Sequence, residues 1–159
     1  MQLIKMSTTD DLILVDDCDF EKCSQLSWSF TNEKKESVRT NIRINGFAKR
    51  VSIANFILND FRSIFDHKDR NPLNNQRTNL RIATPQQNSF NRGKAHIFDL
   101  TSKFKGVSFD KINQKWRAKI SINRKQYSLG RFKTELEAAI AYNNEAFKLF
   151  GEFAVLNQI

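Results

Sequence analysis

The segment Asp66-His67-Lys68-Asp69-Arg70-Asn71-Pro72-Leu73-Asn74-Asn75, followed by Thr78-Asn79-Leu80-Arg81-Ile82-Ala83-Thr84 and then Asn88, constrains this chain more than any other. Apolar Ile64-Phe65 enters it, Leu80 to Ala83 leaves it, and Thr84-Pro85 is a helix cap with proline at the first helical position, for a helix running to about Arg92. The pattern predicts a strand, a polar loop, a second strand and a helix. A ββα unit this small, roughly thirty residues, buries too little to stand alone and needs a metal or a surrounding domain.

The same segment sets an acid beside a histidine, with two asparagines downstream. His67 is the candidate general base, since an imidazole takes a proton from water at neutral pH. Asp66 is its sequence neighbour, points elsewhere on the backbone, and offers a hard oxygen to Mg²⁺ or Mn²⁺. Asn88, on the following helix, is placed to give a second, neutral oxygen. One such ion is enough, because Mg²⁺ keeps waters and substrate phosphate oxygens in its shell, and it stabilises charge on a scissile phosphate. Asn79 is expected to brace the loop through its side-chain amide.

Length and charge frame this chemistry. The chain has 159 residues, enough for one domain or two very small ones, and a formal charge of +9. Residues 1–92 hold 14 Lys/Arg against 11 Asp/Glu, and residues 93–159 hold 12 against 6, so the C-terminal part carries most of the excess. Such a balance favours a polyanionic partner. Cys18 and Cys23 form no CxxC pair and read as two reduced thiols. Without a membrane-length apolar run or a signal-peptide pattern, the expectation is an intracellular, cytoplasmic protein with no membrane partner.

Leu12 to Val15 reads as a strand, Asp16-Asp17 as the cap of a short helix to about Leu26, and Trp28–Phe30 and Val38–Ile44 as strands, with Asn45-Gly46 as a hairpin turn. Ser52 caps a helix with Ile53, Phe56 and Ile57 on one face. Residues 94–102 read as a linker between modules at 1–93 and 103–159, and His96 within it as an idle residue. Beyond it come three strand candidates, Phe104–Phe109, Trp116–Ile122 and Gln126–Gly130. A helix follows, opened by a Thr134/Glu137 capping box and closed by Gly151. Leu136, Ile140, Phe147 and Phe150 are expected near one face of that helix, with Ala139 and Ala146 allowing close packing. The fold class is therefore α+β, ending in a three-stranded antiparallel sheet on one helix.

Period two along the middle strand puts Trp116, Ala118 and Ile120 on one face and Lys115, Arg117, Lys119 and Ser121 on the other. Ala118 and Ile120 suit the helix side, which turns Arg117 and Lys119 outward. Lys105, Arg124, Lys125 and Arg131 add possible phosphate contacts.

Residues from about 10 to 92 resemble the HNH homing endonucleases of phages and mobile introns, in the Asp66-His67 pair, Leu73 to Asn75, Asn79-Leu80-Arg81, Thr84 and Asn88. The resemblance implies a ββα-metal nuclease with His67 as base, Asn79 orienting the loop, and Asp66 and Asn88 on one divalent ion. Arg70 stands where that family usually has glycine, and Ile53-Ala54-Asn55 where many members have leucine-histidine-arginine. Residues 103–157 resemble the APETALA/ethylene-response-factor DNA-binding domain. The residues that carry this are Lys105-Gly106-Val107, Lys115 to Ile120, Leu129 to Phe132, Glu137 to Asn143 and Gly151 to Asn157. That family lays its sheet in the DNA major groove and often uses the tryptophan at position 116 there, whereas the alternation turns Trp116 inward. Ser108, Ser121 and Ser128 stand where the plant domains carry longer side chains.

Together the resemblances imply an endonuclease encoded by a phage or mobile element. It binds double-stranded DNA through Lys105, Lys115, Trp116, Arg117, Lys119, Arg124, Lys125 and Arg131, acts as a monomer and nicks one strand. The rival is a non-catalytic DNA-binding regulator on the same modules; an RNA-binding protein fits the charge alone.

Overall fold

The computed structural model describes residues 1–33, 35–93 and 101–159. The chain divides into two compact units, Met1–Pro85 and Gln86–Ile159. Most of the expected linker, with His96, lies outside the described residues. No described helix is long and apolar enough to cross a membrane.

The N-terminal unit opens with a hairpin of β1 (Gln2–Lys5) and β2 (Leu12–Val15), which places Ile4 opposite Ile13. Next come α1 (Asp17–Ser24) and a three-stranded antiparallel sheet of β3 (Ser29–Phe30), β4 (Val38–Ile44) and β5 (Phe47–Ser52). Asn45 and Gly46, at φ 51° and 82°, make the predicted two-residue turn between β4 and β5. Ser52 caps α2 (Ile53–Leu58) by accepting the Asn55 amide at 3.2 Å. The core gathers Ile4, Ile13, Val15, Val38, Ile53 and Ile57 around Trp28. That indole is wholly buried, so its Nε1–H needs a partner, and it donates to the Cys23 carbonyl at 2.8 Å.

Two strands follow, β6 (Phe65–His67) and β7 (Leu80–Ile82), paired antiparallel with Asp66 opposite Arg81 and His67 opposite Leu80. The loop between them is bolted to the core sheet: Leu14 donates to the Leu73 carbonyl and Asn75 to the Leu14 carbonyl, each at 2.8 Å. A second bolt comes from Asp19. It is buried, receives Arg77 through Nε at 2.7 Å and Nη2 at 2.8 Å, and also pairs with Lys22. Burial alone would raise the Asp19 carboxyl; Arg77 and Lys22 outweigh that and hold its pKa at about 2.

One expectation needs correction here. Asp16 occupies the N-cap position of α1 but makes no side-chain cap. Its carboxylate accepts the Arg77 backbone N–H at 2.8 Å and the Gln76 side chain at 3.3 Å, so a partner distant in sequence has won over the local one.

Arg70 has φ 66°, left-handed backbone that costs an L residue about 1–2 kcal/mol. This accounts for the glycine that the family resemblance places there. Arg70→Gly is expected to raise the stability of the N-terminal unit by about 0.5–1 kcal/mol, read as a higher denaturant midpoint. An unchanged or lower midpoint would show that the arginine side chain contributes more than the backbone strain removes.

The C-terminal unit has β8 (Val107–Asp110), β9 (Lys115–Ile122) and β10 (Lys125–Phe132), antiparallel in the order β10-β9-β8, with α4 (Glu135–Phe150) across one face. The Thr134/Glu137 capping box forms as expected. The packed face of α4 does not follow the expectation. Ala138, Ala139, Tyr142, Ala146 and Phe150 are buried, whereas Leu136, Ile140 and Phe147 are 48%, 42% and 64% exposed. Alanines let the helix axis come close to Ala118 and Val107, and at that separation larger side chains would overfill the interface. Leu136, Ile140 and Phe147 are displaced to the outer side, and Phe150 is the member of the expected stripe that packs inward.

The short helix α3 (Pro85–Phe90) begins at the boundary between the units. Phe90 stacks on Phe150 with ring centroids 3.9 Å apart, and Lys105 Nζ donates to the carbonyls of Phe90 at 3.0 Å and Arg92 at 2.5 Å. These contacts explain why residues 86–93, expected in the first module, group with the second.

Candidate active site and nucleic-acid interface

The β6–β7 hairpin presents Asp66 and His67 as neighbours on an extended strand, so their side chains leave opposite faces. His67 Nε2 lies 2.9 Å from Asn75 Oδ1. Asn75 is wholly buried, and its Nδ2 donates to the Pro72 carbonyl at 2.9 Å. Asp66 is 5% exposed, and Arg81 sends both Nε, at 2.9 Å, and Nη2, at 2.7 Å, to its Oδ2.

Asn79 sits where the loop closes. Its Oδ1 accepts the Asp69 amide at 3.1 Å, and its Nδ2 donates to Asp69 Oδ1 at 2.9 Å and to the Asn74 carbonyl at 2.7 Å. Asp69 also accepts the Asn71 amide at 2.8 Å and Asn74 Nδ2 at 2.8 Å. Burial would raise the Asp69 carboxyl, but the amides of Asn71, Asn79 and Asn74 together hold its pKa below the ordinary value. Asn79 therefore has the bracing geometry expected of it, and Asp69 is its main partner.

Asn88 lies on α3, half-buried, within the second unit. Among the described residues no group of three His, Cys, Asp or Glu side chains gathers into a metal cluster. A carboxylate and an amide oxygen are nonetheless hard donors suited to Mg²⁺ or Mn²⁺. At Asp66 the Arg81 guanidinium sits on Oδ2.

In the C-terminal unit the alternation of β9 is as read. Ala118 and Ile120 are buried beneath α4, and Arg117 and Lys119 stand on the other face. Ser108, Arg117 and Arg131 form one cross-strand row on that outer face, and Lys119 pairs with Ser128. The Arg117 Nε is buried and has no hydrogen-bond partner among the described residues. Lys119 Nζ donates to Gln126 Oε1 at 2.9 Å. Arg131 Nε donates to Asp110 Oδ2 at 3.0 Å, and this arginine, with Asn113, draws the Asp110 carboxyl down to about 2.

Trp116 shares the packed face: it meets Phe109 edge-on at 5.1 Å and lies against the Val107–Ala118 cluster. Lys115, Arg124 and Lys125 are exposed. Lys105 is the outlier of the expected basic set, its ammonium being committed to main-chain carbonyls.

Three features escaped the sequence reading. Asn75 and Arg81 stand inside the quoted motif, but only the folded loop gives them roles. The third is the β4–β5 ribbon, whose signal was available: residues 38–52 hold Arg39, Arg43, Lys49 and Arg50 and no acid. Pairing of Asn41 with Arg50 and of Arg43 with Ala48 puts the three arginines on one face, with exposed Phe47 at the tip.

Comparison with known proteins fits this layout. Residues 102–152 match the AP2 domain family, which indicates DNA binding. "Protein 3.8" of Escherichia phage T7 is 36% identical over 89 residues, which is 56% of this chain and 71% of that protein. The chain belongs to the family of that phage protein. It is also 44% identical over 95 residues to "Uncharacterized HNH endonuclease L560" of Acanthamoeba polyphaga mimivirus, over 59% of this chain and 46% of the relative. The chain thus spans about half the length of the mimivirus protein. No solved structure matches it. The matches support an HNH region followed by an AP2-like DNA-binding domain, and the three-stranded sheet on one helix is consistent with AP2.

Proposed function

We propose that this protein is a DNA endonuclease of the HNH homing type that nicks one strand of duplex DNA bound by its C-terminal sheet. The observation that carries the reading is the β6–β7 hairpin. There His67 is held by a buried amide, next to Asp66, in a loop closed by Asn79.

His67 takes the proton from the attacking water. Asp66 and Asn88 would hold one Mg²⁺ or Mn²⁺, which supplies charge stabilisation at the scissile phosphate. Arg117, Lys119, Arg131 and the turn residues Arg124 and Lys125 neutralise phosphates, and the arginine face of the two-stranded β4–β5 ribbon does the same, a ribbon of two strands being an element the major groove admits. Trp116 supports the sheet from beneath. A chain with one Asp-His set attacks one phosphate, so a monomer nicks.

One observation favours the rival reading, a DNA-binding regulator on an inactive nuclease: Arg81 already neutralises Asp66. Supercoiled plasmid decides between them. The endonuclease reading expects open circle to appear with Mg²⁺ or Mn²⁺ and not with a chelator, with linear product late or absent. Binding without any conversion would establish the regulator, and linear product without an open-circle intermediate at low protein concentration would establish a dimer.

A further inference from the structure

We propose that Asn75 is a positioning residue that fixes the tautomer of His67, so that the ring carries its proton on Nε2 and its lone pair on Nδ1. The inference rests on the reading of His67 as the base, and it names the atom that would do the work.

The geometry leaves the carboxamide one orientation. Asn75 Nδ2 lies 2.9 Å from the Pro72 carbonyl, where only a donor is tolerated, since a second oxygen there would repel the first. The other end of the amide is then Oδ1, and it lies 2.9 Å from His67 Nε2. An oxygen at that distance needs a proton on the nitrogen, and a neutral imidazole has only one to give. Asn75 is wholly buried, so the alternative of turning Oδ1 to water is closed, and an unmet buried acceptor costs about 1–3 kcal/mol.

The amide is also fixed in space. Its backbone N–H is held by the Leu14 carbonyl at 2.8 Å, and Leu14 returns a bond to Leu73. Leu14 lies on β2, between the buried core residues Ile13 and Val15. The ring orientation is thereby referred to the core of the N-terminal unit rather than to the surface loop. The second-ligand logic of metal-bound and triad histidines is the same: the partner of one ring nitrogen decides what the other can do.

Long-range ¹H–¹⁵N spectra of the full-length protein, labelled in histidine and recorded where the ring is neutral, test this directly. The wild type is expected to show His67 as a single tautomer with an Nε2 proton protected from water exchange. In Asn75→Ala that protection is expected to vanish and both tautomers to be sampled. The single-turnover cleavage rate is then expected to fall between about 10- and 10⁴-fold, the upper figure being the loss caused by a wrong tautomer in a serine-protease triad, with duplex affinity unchanged. A wild-type ring protonated on Nδ1 would overturn the proposal without any variant, and so would an Asn75→Ala protein that keeps both the tautomer and the rate. If Asn75→Ala does not fold, the wild-type spectrum decides alone. Failure of the base reading is separately visible: a His67 variant that still cleaves removes that role and leaves the wild-type spectrum standing.

Discussion

His67→Ala is expected to lower the single-turnover cleavage rate by about 10²–10⁴-fold, the usual contribution of a positioned general base, while duplex DNA affinity stays at the wild-type level. The two readouts separate because the expected grip is elsewhere, in the outer face of β8–β10 and the β4–β5 ribbon. One structural consequence has to be controlled. Removing the imidazole takes the donor away from buried Asn75 Oδ1, which costs about 1–3 kcal/mol of stability. His67→Gln offers an N–H donor in place of Nε2 and no base, so it is expected to melt closer to wild type and to cleave as poorly as His67→Ala. Cleavage at the wild-type rate by a folded His67→Gln protein would remove His67 from the chemistry.

The second large effect is on the C-terminal unit. Gly106→Ala is expected to destabilise it by about 2–5 kcal/mol, from about 1–2 for left-handed backbone and about 1–3 for overpacking. Gly106 has φ 76°, and a Cβ built there would lie 2.1 Å and 2.4 Å from the Tyr142 ring and 2.7 Å from the Lys119 carbonyl. Neither neighbour can yield. Tyr142 is 3% exposed within the Ile120, Ala146 and Phe150 cluster, where burial pushes its hydroxyl up to about 12. The backbone at Lys119 is fixed by its bond to the Gly106 carbonyl at 2.8 Å. Gly151→Ala is the control: Gly151 also has a positive φ, 52°, but nothing lies within 4 Å of a Cβ there, so only the backbone cost should appear. The expected readout is a loss of duplex binding with the unfolding of this unit in Gly106→Ala at temperatures where Gly151→Ala still binds. Equal melting of the two variants would show that the ring and carbonyl move aside and that the close approach is not needed.

What could be read from the chain alone was set by short-range rules. The Asn45-Gly46 turn, the Ser52 cap, the Thr134/Glu137 box and the two-residue alternation of β9 each depend on residues within a few positions of one another. Local backbone preference decides them before any tertiary contact forms. The order of Asp66, His67 and Asn79 was equally legible, because all three lie within one strand-loop-strand unit, whereas Asn88 falls beyond it on α3. What only the tertiary structure decided involved partners distant in sequence. Asp16 left its own helix for Gln76 and Arg77, and Lys105 turned from the sheet face to the carbonyls of Phe90 and Arg92. Helix α4 chose its alanine face over its face of larger apolar residues, since close approach to the sheet bought more contact than bulk could. Asn75, one asparagine in a loop rich in them, became the partner of His67 because β2 seals it in the core, and no periodicity or motif spacing records which of several amides a fold will bury.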